Sequence, residues 1–388
     1  MAIADRRGAE TLTKPGVINV LSSSLKEVAN VISKLHVFDT ISSVSNIGVK
    51  KVGGMLTFSF IGATCAGNSS VEIIDPAEQE FSCIVSSKVF SDVLLVIAEA
   101  GGTETASISI VKDGKAMQIK ASGRKFEVRC LDEMTNIFPA IVTMPESPIK
   151  IPKSMFVGIE YVSNAYSPNG VHTISRCVYF DIGFDGKLFL IGNDMKKLLG
   201  YEVPSNLSFM SDYVMNSKSM KNLFNLASKH EDATVAEKDG FLYTSFGNSV
   251  VKSTRMDVKK MPIAKIVSLC EKLTCNISMK TSDVKSGLSD VTKVVSGDLV
   301  SFCLDSSLTM QTLAEDMEST VVIAGEQSNF NGQTMLMFST QNMHSCISKL
   351  PCQNLTLKYF SASFPIMVES KDEDGNIVFA VVAGMGGR

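Results

Sequence analysis

One pattern recurs three times, in the same order and at nearly the same interval, and it limits this chain more than any other feature. The segments "IVSSKVFSDVL" (Ile84–Leu94), "VMNSKSMKNLF" (Val214–Phe224) and "MFSTQNMHSCI" (Met337–Ile347) align without a gap. Each opens with apolar residues that close a strand. A Ser or Thr follows (Ser87, Ser217, Thr340) where its side-chain oxygen can accept from the unpaired first N–H groups of a helix. Apolar residues then return at helical spacing: Val89/Phe90 and Val93/Leu94; Met220 and Leu223/Phe224; Met343 and Cys346/Ile347. A second triplet lies upstream: "INVLSSSLKEVANVISKL" (Ile18–Leu35), "IKIPKSMFVGIEYVSNAY" (Ile149–Tyr166) and "ISMKTSDVKSGLSDVTKV" (Ile277–Val294). Its copies begin with alternating apolar residues (Ile18/Val20, Ile149/Ile151, Ile277/Met279). They then turn helical, with stripes from Leu25, Phe156 and Val284 to Ile32, Val162 and Val291. The repeat length, about 125–130 residues, is that of a domain rather than of a solenoid unit.

Between the helical stretches lie alternating strand patterns with turn signals at Asp113-Gly114, Gly247-Asn248 and Asp374-Gly375. The fold class expected is α+β: three tandem similar domains, each of two strand–helix–strand halves, rich in antiparallel strands. The boundaries read as a flexible leader at 1–16, then domains at 17–146, 147–265 and 266–388. Three unrelated α+β domains would have to match by chance in both triplets.

Composition agrees with a multidomain globular chain: 388 residues, 45% hydrophobic and 20% charged. No apolar run reaches the roughly 18 residues of a membrane span, and the leader has no apolar stretch behind its two arginines. Nine scattered cysteines, an odd number, read as reduced thiols of a cytoplasmic protein. Cys270/Cys275 and Cys346/Cys352 lack the spacing of a zinc site, and with four histidines no metal or other cofactor is expected.

Catalytic constellations are also missing from the sequence. "GMGGR" ends the chain, so no helix can follow it to make a phosphate cradle. "SKDEDGN" lacks a glutamate at the twelfth loop position and reads as a solvated hairpin turn. His344 and Cys346, two apart on a helix, do not face each other; His36, His172 and His230 have no neighbour in sequence to orient them as bases. No G-x-S-x-G elbow and no P-loop occurs, and no enzymatic activity is expected.

The helices carry lysine and small polar residues opposite their apolar stripes. Candidates for a basic face are Lys26, Lys34, Lys88, Lys153, Lys218, Lys221, Lys229, Lys280, Lys285, Lys293 and Lys349. Any one of them is adequately explained as part of a solvated helix face. Together, in a chain of net charge −3, they could form one basic face that attracts phosphate backbone without reading sequence.

Four segments then carry a resemblance: "SGRKFEVRCLDEMTNIFPAI" (Ser122–Ile141), "RCVYFDIGFDGKLFLIGNDMKKLLG" (Arg176–Gly200), "VVKSTRMDVKKMPIAKIV" (Val250–Val267) and the terminal "VFAVVAGMGGR". In order and spacing they resemble the bacterial sliding clamp family, the β subunit of DNA polymerase III, over nearly the whole chain after the leader. The resemblance implies a ring-shaped homodimer of six domains, with helices lining the hole and strands forming an outer wall. Its partners would be double-stranded DNA held without sequence preference, a DNA polymerase, a clamp loader and a second copy of itself. It also implies an interface that matches Phe126 and Val128 of domain one to Val294 and Val295 of domain three. A hydrophobic cleft for partner peptides would take Asn193, Met195, Lys196, Lys197 and Leu198, Pro262 and Val267, and Val381, Val382 and Met385, with Ile174 or Ser175 at its rim.

The departures from the family pattern fall on that cleft. Met195 replaces the usual glycine, Lys196-Lys197 replaces His-Arg, and Gly384 replaces a proline. Exchange of Arg for Lys removes a planar fork of donors, so a divergent member with its own peptide preference is expected. A second reading is a clamp-fold protein that sequesters replication partners without encircling DNA.

Overall fold

The computed structural model describes residues 16–35, 46–62, 64–74, 80–86, 90–102, 104–112, 114–132, 137–167, 170, 172–183, 186–261, 263–294, 299–305, 307–314, 317–328, 334–361 and 364–384. Within them run α1 (Leu25–Leu35), α2 (Phe90–Gly101), α3 (Lys153–Val162), α4 (Ser217–Ala227), α5 (Ile263–Cys270), α6 (Thr281–Val294) and α7 (Thr340–Ile347). Contacts divide the chain into one unit of 1–146 with 243–253 and another of 147–242 with 254–388.

In the first unit the strands run in the order Val17–Leu21, Thr105–Val111, Ala116–Ala121, Arg124–Leu131, Ser82–Ser86, Asn46–Val52, Met55–Ile61 and Cys65–Glu72. Residues Ser249 to Ser253 then pair antiparallel with Ser69 to Cys65. α1 and α2 pack together. The α1 stripe of Leu25, Val28, Ala29, Val31, Ile32 and Leu35 is wholly buried. α2 contributes Phe90, Leu94 and Ile97 to the same interior, with the Phe90 ring centroid 6.0 Å from that of Phe58 on the sheet. Burial of each such side chain stabilises by about 1.5–3 kcal/mol, so the apolar period is what fixes the helix faces.

The second unit holds a nine-stranded sheet in the order Val214–Asn216, Cys177–Ile182, Leu188–Asn193, Lys197–Val203, Ile377–Val382, Ile366–Lys371, Asn354–Tyr359, Cys275–Lys280 and Glu326–Ser328. Its centre is the antiparallel pairing of Lys197–Tyr201 with Val382–Val378, which joins segments nearly two hundred residues apart. A four-stranded sheet (Met317–Ala324, Ser307–Ala314, Leu299–Leu304, Thr334–Ser339) lies against α6. α3 packs with α4, their Phe156 and Phe224 rings 6.2 Å apart, and α6 packs with α7. All strand pairs given a register are antiparallel, as expected of the α+β class.

The structure corrects the sequence reading in a few places. Helix caps fall one residue earlier than expected: Asn216, not Ser217, accepts from the Lys218 and Ser219 N–H groups, and Ser339, not Thr340, accepts from Asn342. The cap is the last extended residue, and both positions also carry a side-chain acceptor. In α3 the buried stripe is Met155, Ile159 and Val162, with Phe156 only half-buried. The expected cap Ser87 and the residue Val89 lie outside the described residues, as does His36. The 372–376 segment is a hairpin turn. Asp372 accepts from the Asp374 and Asn376 N–H groups and the Asn376 amide, and Gly375 takes the left-handed φ of 83°. Among the described residues no helix is long and apolar enough to cross a membrane.

Candidate functional site

The strand Leu188–Asn193 reverses into Lys197–Val203 through a turn held by two side chains. Asn193 Oδ1 accepts from the Met195 N–H at 3.0 Å; Asp194 Oδ1 accepts from Lys196 and Lys197 N–H at 3.0 and 2.9 Å. Closing so tight a turn forces Met195 into the left-handed region at φ 73°, where a side chain costs roughly 1–2 kcal/mol. This is the position where the family pattern has glycine.

Met195 thereby stands half-exposed at the mouth of an apolar pocket of about 130 Å³. Asn193, Met195, Lys196, Lys197, Leu198 and Val381 of the sequence-derived set all line it. Sequence reading missed Met261, Ile266, Leu269, Pro365 and Ala383, which complete the lining. The available signal was the run "IAKIVSLC". As α5 it buries Ile263 and Cys270 yet leaves Leu269 43% exposed, an apolar side chain presented to solvent beside the pocket. Beneath lies a core of Tyr179, Phe189, Ile191, Leu198, Met367 and Phe379, with Phe189 and Phe379 in edge-to-face contact at 5.6 Å.

Ile174 and Ser175 do not line the pocket. Ile174 belongs to the core beneath it, and Ser175 is buried with its hydroxyl donating to the His172 carbonyl at 2.6 Å. Val382 is also buried, because strand alternation turns it to the face opposite Val381. Pro262 and Met385 lie outside the described residues, and of Val267 only the backbone is described, within α5.

The two lysines of the turn differ in kind. Lys197 is 7% exposed; its Nζ donates to Ser345 of α7 at 2.7 Å and lies 3.4 Å from Asp194. A cation so satisfied braces the turn against α7. Lys196 is exposed, and it is the charge available to a ligand at the mouth. Asn193 supplies the polar feature inside. It is 1% exposed, and its Nδ2 has no hydrogen-bond partner. The Tyr179 hydroxyl lies within interaction range of this amide and donates to the Met261 carbonyl at 3.3 Å. A buried donor without a well-formed hydrogen bond costs about 1–3 kcal/mol.

The candidate DNA-facing lysines are spread over the helices. Lys26, Lys153, Lys218, Lys229, Lys293 and Lys349 are exposed; Lys34, Lys221 and Lys285 are half-buried; Lys280 ends a strand, and Lys229 and Lys349 lie just past the ends of α4 and α7. Lys88 lies outside the described residues. Lys153 and Lys218 occupy first turns that contain no acid, so cation and helix dipole add to one positive potential. α1, α2 and α6 each carry an acid in the first turn, Glu27, Asp92 and Asp283.

Of the expected interface residues, Phe126 is half-buried and Val128 is buried in the first unit's core. Their strand, Arg124–Leu131, pairs along Arg124–Arg129 with Ala121–Ala116. On its other edge the described pairing is confined to Cys130 and Leu131, against Val85 and Ile84. The Val294 side chain and Val295 are outside the described residues.

All nine cysteines are free. Burial pushes the thiols of Cys65 and Cys346 up to about 12 and those of Cys177 and Cys270 up to about 11, which keeps them protonated. No cluster of three or more His, Cys, Asp or Glu placed to hold a metal occurs among the described residues.

No protein-family model matches the chain, and no curated protein matches it in sequence. Solved structures do match in fold, over nearly its whole length. The DNA polymerase sliding clamp of Bacillus subtilis superposes with a TM-score of 0.80 at 14% identity, covering 97% of this chain and all of that one. The DNA polymerase III β subunit of Pseudomonas aeruginosa gives 0.79 at 15% identity, over 95% of this chain and 100% of that one. The griselimycin-bound sliding clamp of Bartonella birtlesii gives 0.78 at 15%, over 96% of this chain and 100% of that one. The chain therefore has the fold of the bacterial sliding clamps, at a sequence distance that marks it as divergent.

Proposed function

We propose that this chain is a DNA sliding clamp: a non-catalytic processivity factor, two copies of which close around duplex DNA and tether a polymerase through the apolar pocket. The observation that carries the reading is the pocket itself. In a chain with the clamp fold from end to end, it forms where strand Lys197–Val203 meets the C-terminal strand, and Asn193, Met195, Lys196, Lys197, Leu198 and Val381 of the set that the family resemblance selects line it. Three similar domains per chain, cut near 146 and 265, would give a ring of two chains a pseudo-sixfold closure. Repeated head-to-tail contacts must close in this way to avoid fibres. The edge of Arg124–Arg129, which has no strand partner among the described residues, is a seam of the kind such a contact needs, since an unpaired strand edge is a template for pairing with another chain. The scattered lysines suit this role better than a tight DNA site, because encirclement supplies retention and strong phosphate contacts would impede sliding.

The occupant of the pocket is a short peptide with an apolar side chain, its acidic or carbonyl groups meeting Lys196. Loading onto closed DNA would require a separate ATP-driven loader, since the chain carries no P-loop. Threading onto a duplex with one free end needs no loader and provides the test. The protein is mixed with duplex anchored at one end, the free end is capped with a bulky protein, and the sample is washed at high salt. A clamp stays bound until a restriction cut opens an end. A partner-sequestering protein that does not encircle DNA washes off at once, and that outcome would overturn the proposal.

A further inference from the structure

Residues 255–261 lead into α5 with no strand or helix of their own. Early in the segment the Met256 N–H donates to the Val214 carbonyl at 2.9 Å. At its end one side chain does most of the holding. The Lys260 ammonium group lies within hydrogen-bond distance of four oxygens: the Ser211 carbonyl at 2.9 Å, Asp212 Oδ1 at 3.0 Å, and the Phe180 carbonyl and Asp181 Oδ1 at 3.3 Å each. An ammonium group has three donors, so these acceptors leave none for an outside ligand. Two of the four are carboxylates, and charge-assisted bonds of this kind are the stronger ones. Asp212 is in turn held below its usual pKa by the hydrogen bond from Lys260.

The next residue is Met261, whose carbonyl accepts from the Tyr179 hydroxyl at 3.3 Å. Residues 260 and 261 are therefore pinned to neighbouring points of strand Cys177–Ile182. Met261 lines the apolar pocket, and α5, which begins at Ile263, brings Ile266 and Leu269 to the same lining. The turn at 193–197, which forms another wall, is held separately by the Asn193 and Asp194 side chains. Between them lies a space of only about 130 Å³, so a small displacement of either wall changes what fits.

We propose that Lys260 is a positioning residue of the pocket: through Met261 and the start of α5 its ammonium group sets the pocket's width, and so the side chain that it admits. The inference rests on the reading of the pocket as a peptide site and adds a determinant of its specificity that does not touch the peptide.

Full-length protein carrying 13C at its methionine methyls is titrated by NMR with acetyl-Leu-Asp-amide, a probe with one apolar side chain for the pocket and one carboxylate for Lys196. The Met261 signal, identified by its loss in Met261→Leu, is expected to shift saturably. Lys260→Met, which keeps an unbranched side chain and removes its donors, is expected to weaken the probe severalfold. It should also move the Met261 signal of the free protein while that of Met220, buried in α4, stays in place. Asp212→Asn alters a mostly exposed partner of the same ammonium group and should move Met261 in the same direction by less. Lys259→Met removes an equal charge from an exposed neighbour and is expected to bind as the wild type does. Denaturation midpoints are measured alongside, so that lost stability is not mistaken for lost binding. Equal weakening by Lys259→Met and Lys260→Met would show an effect of charge at a distance and overturn the inference. An unmoved Met261 signal in Lys260→Met and Asp212→Asn overturns it as well. Wild-type affinity in Lys260→Met overturns this inference alone, whereas a wild-type protein that takes no probe overturns the peptide reading of the pocket along with it.

Discussion

Met195 concentrates what is particular to this chain in one residue. Its φ of 73° is a glycine conformation, and its half-exposed side chain forms one wall of the apolar pocket. Stability and binding therefore pull in opposite directions. Met195→Gly should relieve the strain and, after the extra freedom glycine gives the unfolded chain, raise unfolding free energy by up to about 1 kcal/mol. The same change should weaken capture of the partner peptide by removing an apolar contact. Chemical denaturation and peptide titration of the one variant check both signs; a variant that loses stability would show that the turn does not hold Met195 in this conformation. Asn193 and Lys197 divide the rest of the turn between them, one accepting from the Met195 N–H and the other bracing against Ser345.

At the scale of elements, α3 can approach the nine-stranded sheet only because two glycines clear the way. A Cβ at Gly192 would lie 2.2 Å from the Val162 carbonyl oxygen, and one on Gly158 would meet the Tyr201 ring at 2.8 Å. The first obstacle is backbone and cannot rotate aside. Gly192→Ala should therefore cost about 1–3 kcal/mol by overpacking, measured as a lower denaturation midpoint, whereas Gly240→Ala meets no neighbour and suffers only from its φ of 77°. Because Gly192 sits one residue before Asn193, the displaced strand should also misplace the pocket wall. An unchanged midpoint for Gly192→Ala would mean that helix and sheet are not packed as described.

At the scale of the whole molecule, the clamp reading requires two chains per particle. Light scattering coupled to size exclusion should give twice the mass of one chain; one or three chains would contradict the two-chain ring. Charges at Phe126 or Val128 are poor probes of the seam, because Val128 is only 7% exposed and a charge there would threaten the fold itself. Arg124 and Arg129 are exposed at the ends of the free edge. Reversing both to Glu should shift the particle toward single chains with folding unchanged, and an undisturbed dimer would place the seam elsewhere.

The sequence by itself determined the local structure: the apolar periods of α1, α4 and α7, the glycine turns, and the antiparallel α+β class. These are fixed by side-chain periodicity and backbone sterics over a few residues, which are visible in any single segment. The caps were missed by one position, because Asn-Ser and Ser-Thr each offer two suitable oxygens and only the backbone angle selects the first. The pocket lay further from local reading. Leu198 and Val381 become neighbours only through a strand pairing that spans most of the second unit, and α5 adds Ile266 and Leu269 from a third direction. Family resemblance named residues in all three segments, with Pro262 and the Val267 side chain outside the described residues, but the depth of Ile174, Ser175 and Val382 was settled by packing. Which side chains end at a pocket's surface and which in its floor depends on every neighbour at once, and that information exists only in the tertiary structure.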